Sequence, residues 1–360
     1  VREDQPRFDY PVAGGAPSLL IEPQATNIVT HSEGITLAIK QGTGVMASAP
    51  TEVNPSGHIG GVVQASNLLG ATGDRARVGL SSITNGDTVS GYFYIKGDSG
   101  KTINATLKRN NLGDHRGTTI THTCNGEWQK VGPIQGVTMD GGNDEAAMFL
   151  VNSSVSGSTL DSCLLWGYQI EKTSFSTSYI PSYGVAGTRS ADTLPEVTHG
   201  ITMGTSITLF LEAIVFKVGT QISLVQLRLN DANRLLIFVN QLNATATTHD
   251  INIQAKNSDA NYVGNADTTA QTKQKTGLTT GATFKCIARI DGSSNSNNFD
   301  LFVNGSKHGT AKDVDAKDIF QKISLIRNGT ATNQAGQKTK SVIVWNSALT
   351  DQQCEDLTTL

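Results

Sequence analysis

The sequence predicts an all-β protein made of two tandem antiparallel β-sandwich (jelly-roll) domains, preceded by an extended connector and closed by one short C-terminal helix. Three observations support this prediction. The 360 residues correspond to about two domains at roughly 150 residues each. The apolar residues recur with a period of two rather than 3.6, and turn dipeptides such as Asn-Gly separate the apolar runs. Many short strands with regular turn signals are typical of sandwiches.

The alternation is clearest around residue 93, where Phe93 and Ile95 alternate with Tyr92, Tyr94 and Lys96. Successive side chains of a strand point to opposite faces, so we expect one face of each strand to lie on a core. The same pattern recurs in two later runs, whose apolar members are Val225, Leu227 and Leu229, and Phe284, Cys286, Ala288 and Ile290.

The last element is predicted to be a helix. Thr350 and Gln353 have the spacing of a capping box, and Leu349 and Cys354 have the spacing of a hydrophobic staple. A helix this short does not persist alone in water. We therefore expect it to dock on a sheet.

The composition suggests three segments: an extended connector over residues 1–30, a first sandwich over 31–187 and a second over 188–360. The connector is rich in proline, which is excluded from central strands, and we expect it to lead from an upstream part of a longer chain. The boundary is placed where proline and glycine cluster, near 183–192. The prolines of the connector are Pro6, Pro11, Pro17 and Pro23.

Charge and cysteine content exclude several classes of function. The chain has 28 Lys and Arg against 31 Asp and Glu, so it lacks the basic excess that nucleic-acid binding requires. No apolar run approaches the roughly 18 residues of a membrane span, so we expect no membrane insertion. The four cysteines are scattered; they could form two disulfides, but four reduced thiols suit assembly in a reducing cytoplasm better.

No catalytic residue is predicted. The segment Gly97–Gly100 spells Gly-Asp-Ser-Gly, which occurs around the nucleophile of trypsin-like proteases, but no matching histidine segment accompanies it. We interpret it as a hairpin turn. Glycosidases need two close carboxyl groups, whereas Glu212 stands alone in its strand and is expected to face solvent.

No metal or other cofactor is predicted either. Lectin-like sandwiches often hold calcium, which takes six to eight oxygen ligands. The acids Asp313, Asp315 and Asp318 are close in sequence, but Lys312 and Lys317 are interleaved with them. A solvated loop is the better interpretation of this segment, so calcium is not supported.

Sugar binding needs an aromatic face for the apolar side of a pyranose and fixed polar groups for its hydroxyls. Two places could provide both. Each also has a plain alternative: an ordinary turn with a packed tyrosine in one case, and tyrosines covering an inter-domain or inter-subunit surface in the other. The candidate ligand-binding residues are Asn261, Tyr262, Asn265 and Asp267 in one place, and Tyr92 and Tyr94 in the other.

Several segments together resemble the distal part of bacteriophage tail fibres and related virion receptor-binding proteins. Residues 6–29, PRFDYPVAGGAPSLLIEPQATNIV, are similar to a segment that precedes host-facing domains in such fibres. The segments GDTVSGYFYIKG and LLWGYQIEKTSFSTSYIPS resemble the jelly-roll carbohydrate-binding modules of those fibres. FDLFVNGSKHGT and VIVWNSALTDQQCEDL resemble a concanavalin A or laminin-G-like sandwich.

The resemblance implies a virion protein, part of a tail fibre or other surface appendage and assembled in the cytoplasm of the bacterial host. It implies a homotrimer that joins upstream fibre or virion proteins and binds a host surface glycan or polysaccharide for attachment. Two alternatives remain open. One is a polysaccharide depolymerase, a hydrolase or lyase, on the fibre; the other is a purely structural fibre or head-decoration module.

Overall fold

The computed structural model describes most of the chain. The described residues are 7–10, 16–34, 38–41, 45–69, 75–79, 83–84, 86–109, 119–139, 146–151, 157–192, 194, 196–198, 204–217, 222–230, 233–240, 247–257, 260–263, 275–292, 298–311, 321–325 and 336–360.

Almost all regular structure in these residues is β-strand, as the period-two pattern predicts. The strands are β1 (Arg7–Asp9), β2 (Ser18–Ile21), β3 (Ala25–Asn27), β4 (Ala38–Gln41), β5 (Val45–Ser48), β6 (Val63–Ser66), β7 (Arg75–Gly79), β8 (Thr88–Gly97), β9 (Thr102–Arg109), β10 (Thr119–Thr123), β11 (Gln129–Thr138), β12 (Ala146–Val151), β13 (Cys163–Glu171), β14 (Gly187–Arg189), β15 (Val197–Thr198), β16 (Ile207–Lys217), β17 (Ile222–Asn230), β18 (Asn233–Asn240), β19 (Thr248–Asn257), β20 (Ala260–Val263), β21 (Lys275–Thr279), β22 (Thr283–Asp291), β23 (Asn298–Val303), β24 (Ser306–Ala311), β25 (Lys322–Leu325) and β26 (Gly336–Trp345). The helix α1 (Asp351–Thr358) follows the last strand.

The strands form two compact units. One, the N-terminal sandwich, comprises Ala25–Arg189. The other, the C-terminal sandwich, comprises Ser190–Leu360 together with Val1–Gln24. The expected sequence boundary at residues 187–188 compares with an observed division at 189–190.

The N-terminal sandwich consists of two five-stranded antiparallel sheets. Sheet 1 has the order β10-β9-β12-β7-β4, and sheet 2 has the order β11-β8-β13-β6-β5. The core between them is aliphatic and aromatic, and it contains Phe93 and Ile95 from β8 and Ile103 and Leu107 from β9. The alternation predicted around residue 93 is therefore confirmed.

The turn Gly97–Gly100 lies between two strands, as predicted, but it is not a hairpin. It leads from β8 in sheet 2 to β9 in sheet 1, so it crosses from one sheet of the sandwich to the other. The backbone N–H of Lys101 donates to the carbonyl of Asp98, and Gly100 has a φ of +78°, a conformation that favours glycine.

The C-terminal sandwich has two larger antiparallel sheets. Sheet 3 has the order β1-β2-β26-β16-β22-β23-β24; sheet 4 has the order β15-β25-β17-β18-β19-β20, with β21 also paired to β19. The core between them contains the inward-facing residues of β16 and β22 on one side and of β17, β18 and β19 on the other. The Asn304-Gly305 turn joins β23 and β24, and both residues have positive φ, 48° and 81°, as a two-residue hairpin turn requires.

The N-terminal segment is more regular than the predicted connector. Within residues 1–30, β2 lies between β1 and β26 in sheet 3, so the segment contributes an inner strand to the C-terminal sandwich. The prolines lie outside the two strands, which leaves every backbone N–H of Ser18–Ile21 present. The guanidinium of Arg7 pairs with the carboxylates of Glu22 and Asp192 and so joins the two ends of this discontinuous unit.

The terminal helix docks on sheet 3, as the sequence predicts. Thr350 is the N-cap and Gln353 completes the capping box in both directions. The residues before and after the cap, Leu349 and Cys354, pack with Phe210 and Phe302 on the outer face of the sheet. The short helix is stable because it covers apolar side chains that would otherwise face water.

All four cysteines are buried free thiols. Burial raises the pKa of Cys354 to about 11, so this thiol stays protonated at neutral pH. No helix among the described residues is long and apolar enough to cross a membrane.

A buried ion pair fixes the helix to the sheet. Arg289 of β22 is 5% exposed and Asp300 of β23 is fully buried, and the Arg289 Nε donates to Asp300 Oδ2 at 3.0 Å. The same guanidinium donates to the carbonyl of Leu349 at 2.6 Å and to the carboxylate of Asp351 at 2.6 Å. One arginine therefore satisfies acceptors on the sheet, on the residue before the helix cap and on the first helical turn.

We expect Arg289→Met to destabilise the C-terminal sandwich by about 3 kcal/mol, because removing one partner leaves a buried carboxylate uncompensated. Urea denaturation would measure the change in the free energy of unfolding. Lys285→Met is a matched control, because Lys285 donates to the carbonyl of Thr359 from an exposed position and its loss should cost less than about 1 kcal/mol. Equal effects of the two substitutions would contradict the role given to Arg289.

Candidate functional site

The two tyrosines predicted for the N-terminal sandwich lie on the outer face of sheet 2. Tyr92 is completely buried, and its hydroxyl donates to the carbonyl of Thr177 at 3.1 Å. Tyr94 is half-buried, and burial raises the pKa of its phenol. The ring of Tyr92 has no face available for a sugar.

These tyrosines belong to an aromatic cluster that also contains Trp166 and Tyr179. Ring centroids are 5.9 Å apart for Tyr92 and Tyr94, 5.5 Å for Tyr94 and Trp166, and 4.5 Å for Trp166 and Tyr179. Gly167 permits the close approach, because a Cβ there would lie 3.0 Å from the Tyr94 ring. The cluster packs the segment that follows β13 onto sheet 2, which is a structural role for the predicted residues.

One exposed aromatic ring lies beside this cluster. Tyr183 is 70% exposed, and its hydroxyl donates to Glu33 Oε1 at 3.3 Å, while Tyr179 donates to the same oxygen at 3.0 Å. Burial raises the pKa of Tyr179, so the phenol remains a donor at neutral pH. The sequence pattern does not distinguish Tyr183 from the buried tyrosines.

The second predicted group lies at the edge of sheet 4. Asn261 and Tyr262 belong to β20, where Asn261 is paired with Lys256 and Tyr262 with the core residue Ala255. Asn265 and Asp267 lie outside the described residues. The structure therefore places two of these four residues, both next to the outermost long strand of the sheet.

The outer face of sheet 4, opposite the core, is unusually polar. Leu236 and Phe238 of the central strand β18 form a small apolar strip on this face. Amide and hydroxyl side chains flank the strip on the neighbouring strands, and most of them are recessed below the surface. The flanking residues are Ser223, Gln226, Asn252, Gln254 and Ser324.

Basic residues form a row across one end of this face, where it becomes accessible. In the strand register Lys322 of β25 is opposite Arg228, Arg228 is opposite Arg234, and Arg234 is opposite Lys256. Asn261 of β20 continues the row beyond Lys256. We call these four basic residues, each from a different strand, the cationic row.

The row lies next to a β-bulge. The register of β17 and β18 shifts between Arg228 and the pair formed by Asn230 and Asn233. Leu229 is the extra residue of the bulge and is 37% exposed, so the alternation predicted for Val225, Leu227 and Leu229 ends one residue early. Bulges bend a strand and redirect its side chains, and this one lies immediately beside Arg228.

The local charge around the row is positive. Glu196 pairs with Arg228 and lies 3.9 Å from the Lys322 ammonium. The Arg234 Nη2 donates to Gln254 Oε1 at 3.2 Å, which is a neutral acceptor. Among the described residues, the buried Nε of Arg234 has no hydrogen-bond partner.

A separate cavity of about 330 Å³ lies in the C-terminal sandwich, lined among others by Lys275, Phe284, Asn304 and His308. Burial and the charge of Lys275 lower the pKa of His308, so its imidazole is neutral at pH 7. Within the described part of the chain no three His, Cys, Asp or Glu side chains are grouped as metal ligands. The predicted acidic loop at 313–318 lies outside the described residues.

Sequence reasoning missed the cationic row. Alternation placed Gln226 and Arg228 on the face opposite Val225 and Leu227, which is where they lie. That signal could have identified individual outward-facing arginines. It could not show that Arg228, Arg234 and Lys322 stand beside one another, because strand register is not visible in the sequence.

No protein-family model and no curated protein matches the chain. Solved structures with a similar fold include the carbohydrate-binding module CBM40 of the Ruminococcus gnavus IT-sialidase (12% identity, 44% of this chain and 84% of that chain, TM-score 0.34). Others are a heptameric SAP-like pentraxin from Limulus polyphemus (13% identity, 45% and 74%, TM-score 0.33) and the alginate lyase Aly36B (13% identity, 39% and 69%, TM-score 0.27). At this level of similarity they carry no information about the ligand of this chain.

A buried histidine beneath the cavity is a local weak point in stability. His249 is 1% exposed, its ring contacts Phe284 with centroids 6.0 Å apart, and neither ring nitrogen has a hydrogen-bond partner among the described residues. Burial lowers its pKa from 6.5 to about 4, an effect that the neighbouring Asp250 partly opposes.

We expect His249 to make the C-terminal sandwich acid-sensitive. Its pKa is lower in the folded state than in the unfolded state, so stability is lost as the pH falls from about 6.5 to about 4, by up to about 3 kcal/mol. His249→Leu should remove this part of the pH dependence and leave stability at pH 7 equal or higher. Urea denaturation at pH 7 and pH 4.5 measures both, and the same acid-induced loss in the variant would contradict the assignment.

Proposed function

We propose that this chain is the glycan-binding part of a bacteriophage tail fibre or related virion adhesin, which attaches the particle to a polysaccharide on its host. The observation that carries the proposal is the outer face of sheet 4. The apolar strip of Leu236 and Phe238 with amides and hydroxyls on both sides matches the chemistry of a pyranose, which has an apolar face and a rim of hydroxyls. Gln254, at the accessible end, is the first neutral group that a ligand would meet.

The fibre context is supported by the sequence resemblance of the N-terminal segment and of both sandwiches. Fibres of this kind are usually three chains around one axis, and three copies of a weak sugar site bind a repetitive surface polymer with far higher avidity than one. A polar, weakly charged surface suits such repeated, reversible contacts. Attachment thus requires no single tight site.

Glycan binding is tested with the purified chain on a glycan array and on host envelope fractions. We expect Gln254→Ala to lower the affinity about fivefold, the effect of losing one neutral hydrogen bond. Gln352→Ala is the matched control, because Gln352 is an exposed helical residue that contacts Asp356. No binding to any glycan or host fraction would refute the proposal.

The same preparation separates binding from cleavage. A binding protein leaves the length of a host polysaccharide unchanged in size-exclusion chromatography. Progressive shortening of the polymer would instead assign the chain as a depolymerase.

The oligomeric state provides an independent check on the fibre context. We expect light scattering coupled to size-exclusion chromatography to give three times the mass of one chain. A monomer at all concentrations would remove the avidity argument, although glycan binding by the single chain could still be measured.

A further inference from the structure

We infer that the cationic row recognises a carboxylate, so that the glycan bound by this chain is acidic, with Arg228 and Arg234 holding the carboxylate of one sugar unit. This inference rests on the proposed glycan-binding function and specifies its ligand class. It makes the two arginines the residues that determine specificity on the outer face of sheet 4.

The first step of the argument is the arginine pair itself. Arg228 and Arg234 are directly opposite each other on adjacent antiparallel strands, where Cβ atoms are about 4.5–5.5 Å apart. Like charges in this position repel each other and destabilise the sheet. An anion between the two guanidinium groups would convert that repulsion into two attractive contacts.

The second step concerns how far the protein neutralises the row by itself. Glu196 is the acidic partner at one side, where it pairs with Arg228 and approaches Lys322. Arg234, on the other side of Arg228, has only the neutral oxygen of Gln254 within hydrogen-bond distance of its Nη2. Its buried Nε has no partner among the described residues. An unpaired, buried donor of a charged group is costly, and a ligand oxygen would satisfy it.

The third step is geometric. Arginine presents its donors in a planar fork that matches a carboxylate in two parallel hydrogen bonds. Arg234 is half-buried, so its side chain is partly ordered before a ligand arrives while its fork still reaches solvent. The bulge at Leu229 bends β17 at this point, which opens the end of the face where the row lies.

The fourth step explains why the anion belongs to a sugar rather than to a free ion. Next to the row, the face continues into the amides Gln254 and Gln226 and the apolar strip that begins at Leu236. A carboxylate at the row therefore places the ring that carries it over groups suited to hydroxyls and to an apolar ring face. A free inorganic anion would use the row but not the rest of the face.

The test uses the full 360-residue chain and an array that holds matched pairs of acidic oligosaccharides and their methyl esters. Methyl esterification removes the charge and keeps the sugar. We expect binding to at least one carboxylate-bearing glycan, loss of that binding on esterification, and a fall in affinity with increasing NaCl.

Substitutions then test the residue directly. Arg234→Gln should lower the affinity for the acidic glycan by about tenfold or more, because a charge-assisted contact is lost, while Arg234→Lys should retain part of it. Lys340→Gln removes one positive charge from sheet 3, where Lys340 pairs with Glu212, and should change nothing. Arg234 is preferred to Arg228 because replacing Arg228 would also leave Glu196 without this partner.

The outcomes separate this inference from the proposed function. Binding to neutral glycans only, or binding to acidic glycans that Arg234→Gln does not weaken, would overturn the inference and leave glycan binding intact. Binding to no glycan would overturn both. Thermal unfolding of each variant shows whether it is folded, and a misfolded Arg234→Gln would transfer the decision to Arg234→Lys and the esterified ligands.

Discussion

Every sheet of an antiparallel sandwich has two faces, and the fold depends on how each outer face is satisfied once the inner faces have formed the core. Sheet 3 covers its outer face with α1, fixed by the buried Arg289–Asp300 pair. Sheet 2 covers its own with the aromatic cluster around Trp166. Sheet 4 is different: no described helix lies on it, and its outer face is polar, recessed and basic at one end. That difference separates a structural surface from one suited to a ligand.

The sequence predicted those parts of the fold that local chemistry decides. The alternation at Phe93 and Ile95, the Asn304-Gly305 hairpin and the capping box at Thr350 depend on residues close together in the chain, and all three are confirmed. Sheet membership is different, because it depends on pairing between distant strands. For this reason Gly97–Gly100 was predicted as a hairpin although it crosses between sheets, and β2 was predicted as connector although it pairs with β26.

The candidate site was harder to predict for the same reason. Tyr92 has the composition of a sugar-binding residue, but the segment that buries it, including Thr177, lies far along the chain. The cationic row combines residues of β25, β17, β18 and β19, and only the register makes Arg228 and Arg234 neighbours. Asn261, the predicted residue that stands in the row, is there because β20 extends the same sheet.

The pairing of β2 with β26 also determines the order in which the protein can fold during synthesis. The first two strands leave the ribosome early, but their partner follows roughly 300 residues later, a delay of about 15–60 s at 5–20 residues per second. The N-terminal sandwich is continuous in sequence and can fold during that interval. The C-terminal sandwich must wait for both ends of the chain. A fragment that starts after residue 24 or stops before residue 336 would leave one edge of sheet 3 unpaired and prone to intermolecular strand addition.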